Sequence, residues 1–169
     1  VFGILIAARL RQLRQELGAP PQFTVVELGA GRGEMAAALA EFNYCPVDIT
    51  GGGWPERFAG AVFTNEFFDA LPVRVAVRRG KTFREMLVGW REDRFWWVEG
   101  APVAGEEAEY VARYGGDLED GVWIEVNLDG LHWLDEIARR LERGYVFTID
   151  YGYTARELVR FPRGTLMSY

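Results

Sequence analysis

The sequence predicts an α/β fold, a mostly parallel and doubly wound sheet carrying an antiparallel insertion, and three observations carry that prediction. A short apolar run, Phe23 to Leu28, opens directly into Gly29-Ala30-Gly31-Arg32-Gly33 and then into an alanine- and leucine-rich stretch, which gives the order strand, glycine loop, helix. Runs of strand length recur at Phe58 to Thr64 and Tyr145 to Asp150, nearly continuous rather than alternating, as in strands buried on both faces. Between them lie closely spaced strand signals joined by Arg91-Glu92-Asp93, which read as hairpins rather than crossovers. A length of 169 residues is the usual size of one domain, and 49% hydrophobic composition supplies a core and excludes a disordered chain.

The elements follow in order. Phe2 to Leu17 places Ile4, Ile6, Leu10, Leu13 and Leu17 at near-helical spacing with arginines opposite, and Gly18 stops the helix. Pro20 and Pro21 link it to the Phe23 to Leu28 strand, and Glu34 to Phe42 is the helix after the glycine loop. Tyr44 to Ile49 is a second strand, with Asp48 near its end and Gly51-Gly52-Gly53 behind it. Parallel strands need a crossover of about a dozen residues or more. The stretch from Asp48 to Phe58 has almost no room for one, so either a crossover has been lost or residues are missing there, and missing residues are the expectation. The start at Val1, already inside a helix, and the stop at Tyr169 likewise predict a fragment of a longer chain.

Arg74 to Arg79, Phe83 to Trp90 and Arg94 to Glu99 read as strands of a β-rich insertion at residues 74–100 within a single domain over residues 1–169. Glu106 to Tyr114 is a short helix closed by Gly115, and Trp123 to Val126 is a short strand. Leu131, Leu134, Ile137, Ala138 and Leu141 mark the apolar face of an amphipathic helix that Gly144 stops.

Composition narrows the partners. A net charge of −6 gives no general field for nucleic acid or an anionic membrane, so nucleic acid is not the expected partner. The single cysteine, Cys45, makes no internal disulfide and has no zinc spacing around it; a buried, inert thiol in a reducing compartment is expected. No metal cluster is visible. No apolar run approaches the ~20 residues of a membrane span, and no signal-peptide layout opens the chain. A cytoplasmic protein is expected, or a mitochondrial matrix protein if the source is eukaryotic.

The glycine loop carries the chemistry. A strand that opens through Gly-x-Gly-x-Gly into a helix lets backbone approach a ligand with no Cβ in the way, and aims the N–H groups of the helix start at it. A dinucleotide fingerprint needs Gly or Ala at its sixth position, which counted from Gly29 is Glu34, a carboxylate ill-placed beside a pyrophosphate. S-adenosylmethionine has no phosphate and carries cationic sulfonium and ammonium groups, so it suits an acidic surround. Gly29, Ala30, Gly31 and Gly33 therefore form the expected seat of S-adenosylmethionine, with Glu27 facing its methionine portion. Asp48, roughly 20 residues past the first glycine, is placed to accept both ribose hydroxyls. Glu27 as a cap or surface charge, and Asp48 as a turn cap, stay open.

Three motifs together resemble a known family: Val26-Glu27-Leu28-Gly29-Ala30-Gly31-Arg32-Gly33, Thr64-Asn65-Glu66-Phe67-Phe68-Asp69-Ala70-Leu71-Pro72-Val73, and Ile149-Asp150-Tyr151-Gly152-Tyr153, with Gly164-Thr165-Leu166 after them. They are similar to the signatures of the MidA-like methyltransferases, and the resemblance spans nearly the whole chain. It implies a Rossmann-like methyltransferase core using S-adenosylmethionine. It also implies methyl transfer to a protein, since mitochondrial relatives methylate an arginine in a subunit of respiratory complex I and support its assembly. Three departures leave the substrate side open: the family's N-terminal segment, the crossover after Asp48 and the portion after Tyr169 are absent.

Ligands of open α/β sheets bind beyond the carboxyl ends of the strands, so Asn65, Glu66 and Asp69, just past one strand, and Asp150, at the end of another, should line the site. Asn65 offers a donor and an acceptor toward the cofactor, and Glu66 accepts from a guanidinium in paired geometry. Asp69 and Asp150 complete the expected catalytic group, Asp150 as proton acceptor or substrate clamp. Structural readings stay open for Asp69 as a cap, Asp150 as a framework carboxylate and Phe67 and Phe68 as plain core. His132, the sole histidine, reads as solvent-facing or satisfied rather than as a base. Two other functions share these features: a nicotinamide-dependent oxidoreductase, opposed by Glu34, and a non-catalytic assembly factor that keeps a cofactor pocket.

Overall fold

The computed structural model describes residues 1–48 and 53–167. In chain order the elements are α1 (Phe2–Glu16), β1 (Thr24–Leu28), α2 (Ala36–Leu39), β2 (Asn43–Val47), β3 (Phe58–Asn65), β4 (Arg74–Arg79), β5 (Thr82–Arg91), β6 (Arg94–Pro102), α3 (Gly105–Tyr114), β7 (Trp123–Val126), α4 (Leu128–Arg140), β8 (Leu141–Ile149) and α5 (Ala155–Leu158). They divide into two compact units, residues 1–70 with 132–151 and residues 71–131 with 152–169.

The first unit holds a parallel sheet in the order β2-β1-β3-β8. β1 is buried at every residue because it sits between two neighbours with both faces covered. Val25, Ala61 and Phe63 pack beneath Ile6, Leu10 and Leu13 of α1. Two glycines let the strands close up: a Cβ at Gly60 would collide with the Thr24 carbonyl oxygen, and one at Gly144 with the Gly60 carbonyl oxygen. Gly3 plays the same part between helices, since a Cβ there would come within 2.8 Å of Ala38 Cβ. Asn43 Nδ2 donates to Thr24 Oγ1 at 3.0 Å, and Arg143 reaches the Leu17 carbonyl at 2.9 Å.

The second unit is an antiparallel sheet in the order β6-β5-β4-β7. Ala76, Phe83 and Val126 turn one face toward Val111 of α3. Glu92 and Asp93 both have positive φ, +54° and +56°, the two-residue turn whose twist matches a hairpin, so the expected Arg91-Glu92-Asp93 turn forms between β5 and β6. Arg74–Arg79 and Trp123–Val126 fall where the sequence puts them. Glu125 accepts backbone N–H groups from Thr165 and Leu166 and so ties down the Gly164-Thr165-Leu166 motif.

Several expectations are corrected. The helix expected over Glu34 to Phe42 shrinks to Ala36–Leu39, because Gly33 at φ +74° still belongs to the loop and three-residue turns, Ala36 N to the Gly33 carbonyl and Phe42 N to the Leu39 carbonyl, flank it. Ile4 is 68% exposed, and Ala7 takes its place on the buried face of α1. In α4 only Ile137 of the expected apolar stripe is buried, with Leu134 48% exposed. Gly144 does not stop that helix; Leu141 already begins β8, and the glycine lies inside the strand where it meets Gly60. Among the described residues β8 is an edge strand, with alternating exposure rather than burial on both faces. The second strand ends at Val47, and residues 49–52, on which the expectation of a missing crossover falls, lie outside the described residues. Cys45 is half-buried rather than buried, its Sγ donating to the Gly53 carbonyl at 3.5 Å. No helix among the described residues is long and apolar enough to cross a membrane.

Candidate functional site

β1 and β3 are neighbours in the sheet, yet β2 lies on the far side of β1, so the chain reverses its direction of winding between them. At such a reversal the loops leaving adjacent strands diverge and open a crevice beyond their carboxyl ends. The glycine loop leaves β1 there, and the Asn65 to Asp69 loop leaves β3 beside it.

The glycine loop is held by its own backbone. Gly29 N and Ala30 N both donate to the Val47 carbonyl, at 2.9 and 3.2 Å, and Gly33 N donates to the Ala30 carbonyl at 2.8 Å. Gly31 N donates to Asp48 Oδ2 at 2.7 Å, so this carboxylate braces the loop from the end of β2. Gly29, Gly31 and Gly33 have φ of +73°, +52° and +74°, conformations that L-residues rarely hold. Their roles differ. A Cβ on Gly29 would come within 2.9 Å of Phe67 Cδ2, whereas Cβ atoms on Gly31 and Gly33 would meet nothing within 4 Å. Gly29 thus admits the Phe67 ring, and the latter two present bare backbone to open space.

Phe67 is buried and stands edge-on to both Phe68 and Trp133, with ring centroids 5.3 and 5.2 Å apart. It is core, wedged between the glycine loop and α4. Trp133 was not among the residues the sequence singled out; its place in the helix pattern reads like any other aromatic. Tyr44 was also missed. Its hydroxyl donates to Glu27 Oε2 at 2.5 Å across the β1–β2 pair. Glu27 is only 6% exposed, neither a cap nor a surface charge. Burial pushes its pKa above the ordinary value, Tyr44's hydrogen bond pulls it down, and the nearby Glu34 carboxylate pushes it up. Burial, and then the Glu27 hydrogen bond, raise the Tyr44 phenol well above its usual range.

The carboxyl ends of β3 and β8 bring Glu66, Asp69 and Asp150 together. Glu66 adopts φ +50°, an uncommon conformation for a residue with a side chain, its N–H bonded to the Ile149 carbonyl at 2.8 Å and its Oε1 accepting from Tyr151 Oη at 3.1 Å. Asp150 accepts from two backbone N–H groups, Phe68 at 2.9 Å through Oδ2 and Tyr151 at 2.8 Å through Oδ1. It therefore clamps the loop after β3 to the end of β8. Asp69 is exposed, and its pKa is raised by partial desolvation first, then by repulsion from Asp150 and Glu66, with a hydrogen bond to Asp150 adding to the effect. Asn65 ends β3 half-buried, opposite Ile149 of β8. His132 lies exposed on α4. The Thr64 hydroxyl, fully buried at the end of β3, has no hydrogen-bond partner among the described residues.

The profile of a family described as "Putative S-adenosyl-L-methionine-dependent methyltransferase" matches residues 48–169, most of the chain. The chain belongs to this family. The match takes in the motifs at residues 64–73 and 149–153, while the glycine loop precedes it. Solved structures extend the likeness to nine-tenths of the chain. A COG1565 superfamily member from Burkholderia thailandensis, bound to S-adenosyl-homocysteine, is 27% identical over 90% of this chain, with a TM-score of 0.70. The native crystal structure of an uncharacterized COG1565 superfamily protein from the same organism is 26% identical over 92%, with a TM-score of 0.71. The chain spans 47% and 50% of those two proteins, about half their length. No curated protein matches it. The parallel sheet with its antiparallel companion is thus the α/β fold of a methyltransferase family, as expected from the glycine loop and strand order.

Proposed function

We propose that this chain binds S-adenosylmethionine at the Gly29–Gly33 loop and serves N-methylation of arginine in a protein, the reading the MidA-like resemblance implies. The bare backbone of Gly31 and Gly33 beside open space, at the reversal of the sheet, is the observation that carries it. Family membership supports the cofactor, and so does the related Burkholderia protein with S-adenosyl-homocysteine bound. The fit is chemical as well as steric, because a loop flanked by Glu27, Glu34 and Asp48 suits a cationic, phosphate-free ligand better than a pyrophosphate.

S-adenosylmethionine supplies the electrophilic methyl carbon when bound. Every other task falls to the chain. Gly29, Ala30, Gly31 and Gly33 form the floor, Asp48 sets the loop and faces the ribose, Glu27 faces the methionine end, and Asn65 closes the rim. Glu66 and Asp69 hold the guanidinium, two carboxylates against one planar cation, and Asp150 keeps their loop in place. The bound cofactor would supply the methyl group to a guanidinium nitrogen that Glu66 and Asp69 orient, and a carboxylate would take the proton that this nitrogen gives up, a task for which the raised pKa of Asp69 is suited. Charge is dispersed along this displacement, so orientation and exclusion of water supply most of the acceleration. A protein partner is proposed, a respiratory-complex subunit among the candidates, in the cytoplasm of a bacterium or the mitochondrial matrix.

Calorimetry of the chain with S-adenosyl-homocysteine and with NAD separates a methyltransferase pocket from a nicotinamide one. Binding of S-adenosyl-homocysteine alone is expected; preference for NAD would overturn the cofactor assignment. Mass spectrometry of proteins co-purifying with the intact protein should find methylated arginine that disappears with Glu66→Gln. Cofactor binding without methylation anywhere would instead mark an assembly factor with a retained pocket.

A further inference from the structure

Glu27 is a costly side chain to bury where it stands. It is 6% exposed, yet no lysine or arginine pairs with it among the described residues. Its register partners on either side, Pro46 of β2 and Phe63 of β3, carry no charge. The charge that does bear on it has the wrong sign, the Glu34 carboxylate just after the glycine loop. Tyr44 Oη donates to its Oε2 at 2.5 Å, and its Oε1 accepts no hydrogen bond among the described residues. A buried carboxylate without a cation weakens a fold, and an apolar pair of similar shape would serve the β1–β2 contact better. Stability therefore does not explain the Glu27–Tyr44 pair.

What the pair lacks is a compact cation with N–H donors. Glu27 is the last residue but one of β1, at the carboxyl end of the sheet where the glycine loop leaves. The amino-acid end of the proposed cofactor carries an α-ammonium, whose charge and three donors match an unoccupied carboxylate oxygen. A phenol is the right second partner for such a carboxylate. Lysine or arginine at position 44 would neutralise the charge and leave nothing for the ammonium, whereas a hydroxyl orients one oxygen and keeps the charge. Burial and the bond to Glu27 push the Tyr44 phenol well above its usual range, so it remains a donor at every pH the protein meets. Its ring is seated against the core that Val25 and Phe63 share with α1, which aims the hydroxyl.

We infer that Tyr44 is a positioning residue of the cofactor site, its hydroxyl fixing Glu27 Oε2 so that Oε1 receives the α-ammonium of S-adenosylmethionine. The inference rests on the cofactor reading proposed above. It makes affinity depend on the ammonium and on an ionised Glu27. Burial and Glu34 raise the Glu27 carboxyl while the Tyr44 hydrogen bond draws it down, so removing the hydroxyl raises it further. Affinity for an ammonium ligand is full above that pKa and is lost as pH falls through it; without the hydroxyl the loss begins at higher pH. Two other carboxylates lie at the loop, Glu34 and Asp48, the latter braced to Gly31 N, and their protonation acts on any ligand seated there. The Cys45 thiol beside Tyr44 is pushed up by burial and stays neutral in acid.

The test is calorimetry from acid to neutral pH with two ligands, S-adenosyl-homocysteine and methylthioadenosine, which keeps the nucleoside and the sulfur but has no ammonium. Tyr44→Phe should weaken S-adenosyl-homocysteine about tenfold at neutral pH, the worth of one charge-assisted hydrogen bond, and change methylthioadenosine less than about twofold. The pH at which the ratio of the two affinities falls should move upward, a shift that Glu34 and Asp48 do not produce because they act on both ligands. In a Glu27→Gln background the same change should have no further effect. Equal loss for both ligands, an unmoved pH profile or an undiminished loss with Gln at position 27 would overturn the inference. A wild-type chain that binds no S-adenosyl-homocysteine sinks the cofactor reading and this inference with it, whereas binding that Tyr44→Phe leaves untouched sinks the inference alone. Should Tyr44→Phe fail to fold because a carboxylate is stranded, Glu27→Gln combined with Tyr44→Phe should restore folding; a double variant that also fails marks Tyr44 as a packing residue and ends the proposal.

Discussion

At Gly31 two facts converge, a φ of +52° and empty space where a Cβ would stand. A side chain there is strained by about 1–2 kcal/mol in this conformation and also fills the volume proposed for ligand. Gly31→Val should therefore lower stability modestly and weaken S-adenosyl-homocysteine binding at least a hundredfold by calorimetry. Loss of stability with unchanged affinity would remove the loop from the site. Glu27 gives a prediction of opposite sign. Its carboxyl is buried with a raised pKa, so its contribution to stability is complete in acid, below the unfolded value, and is lost as pH rises through the folded value. Glu27→Gln should then stabilise the fold at neutral pH, with the gain vanishing in acid, while cofactor affinity falls. Denaturant unfolding of both proteins at two pH values checks the sign. The acidic and glycine positions of this site were legible because their residue types announce their chemistry. Tyr44 and Trp133 were not, since each acquires its role only from a register or a helix rotation that brings it against Glu27 or Phe67.

Elements show the same division. The hairpin strands were readable because turn residues punctuate them, Glu92 and Asp93 between β5 and β6. The helix after the glycine loop and the Gly144 boundary misled, because a glycine in sequence does not say whether it ends a helix or lets two strands approach. Gly60 and Gly144 do the latter. Gly60→Val should cost about 3 kcal/mol or more by pushing β3 off β1. Gly116→Ala, at a site with nothing within 4 Å, should change stability by no more than about 0.5 kcal/mol. A small effect at Gly60 would show that the sheet relaxes around it.

For the whole molecule, ligand binding is linked to unfolding. S-adenosyl-homocysteine at about 100 times its dissociation constant adds about 2.7 kcal/mol if it binds only the folded state. The prediction is a rise in unfolding temperature with S-adenosyl-homocysteine and none with NAD, accompanied by slower hydrogen exchange in the strands β1 to β3 that carry the loops. Membership of an S-adenosylmethionine-dependent methyltransferase family could be read from the chain alone. How many strands flank β8 could not, because burial depends on neighbours that a linear pattern does not name.

The position of β8 has a cost that arises before the protein is finished. Its partner β3 leaves the ribosome early, but residues 71–131, the bulk of the second unit, must follow before β8 emerges to pair with it. At about 5–20 residues per second, β3 waits roughly 4–15 s with one side of its ladder bare. A nascent chain of this protein is thus born with a sticky flank, and chaperone dependence or aggregation during rapid expression should trace to that interval rather than to the finished fold.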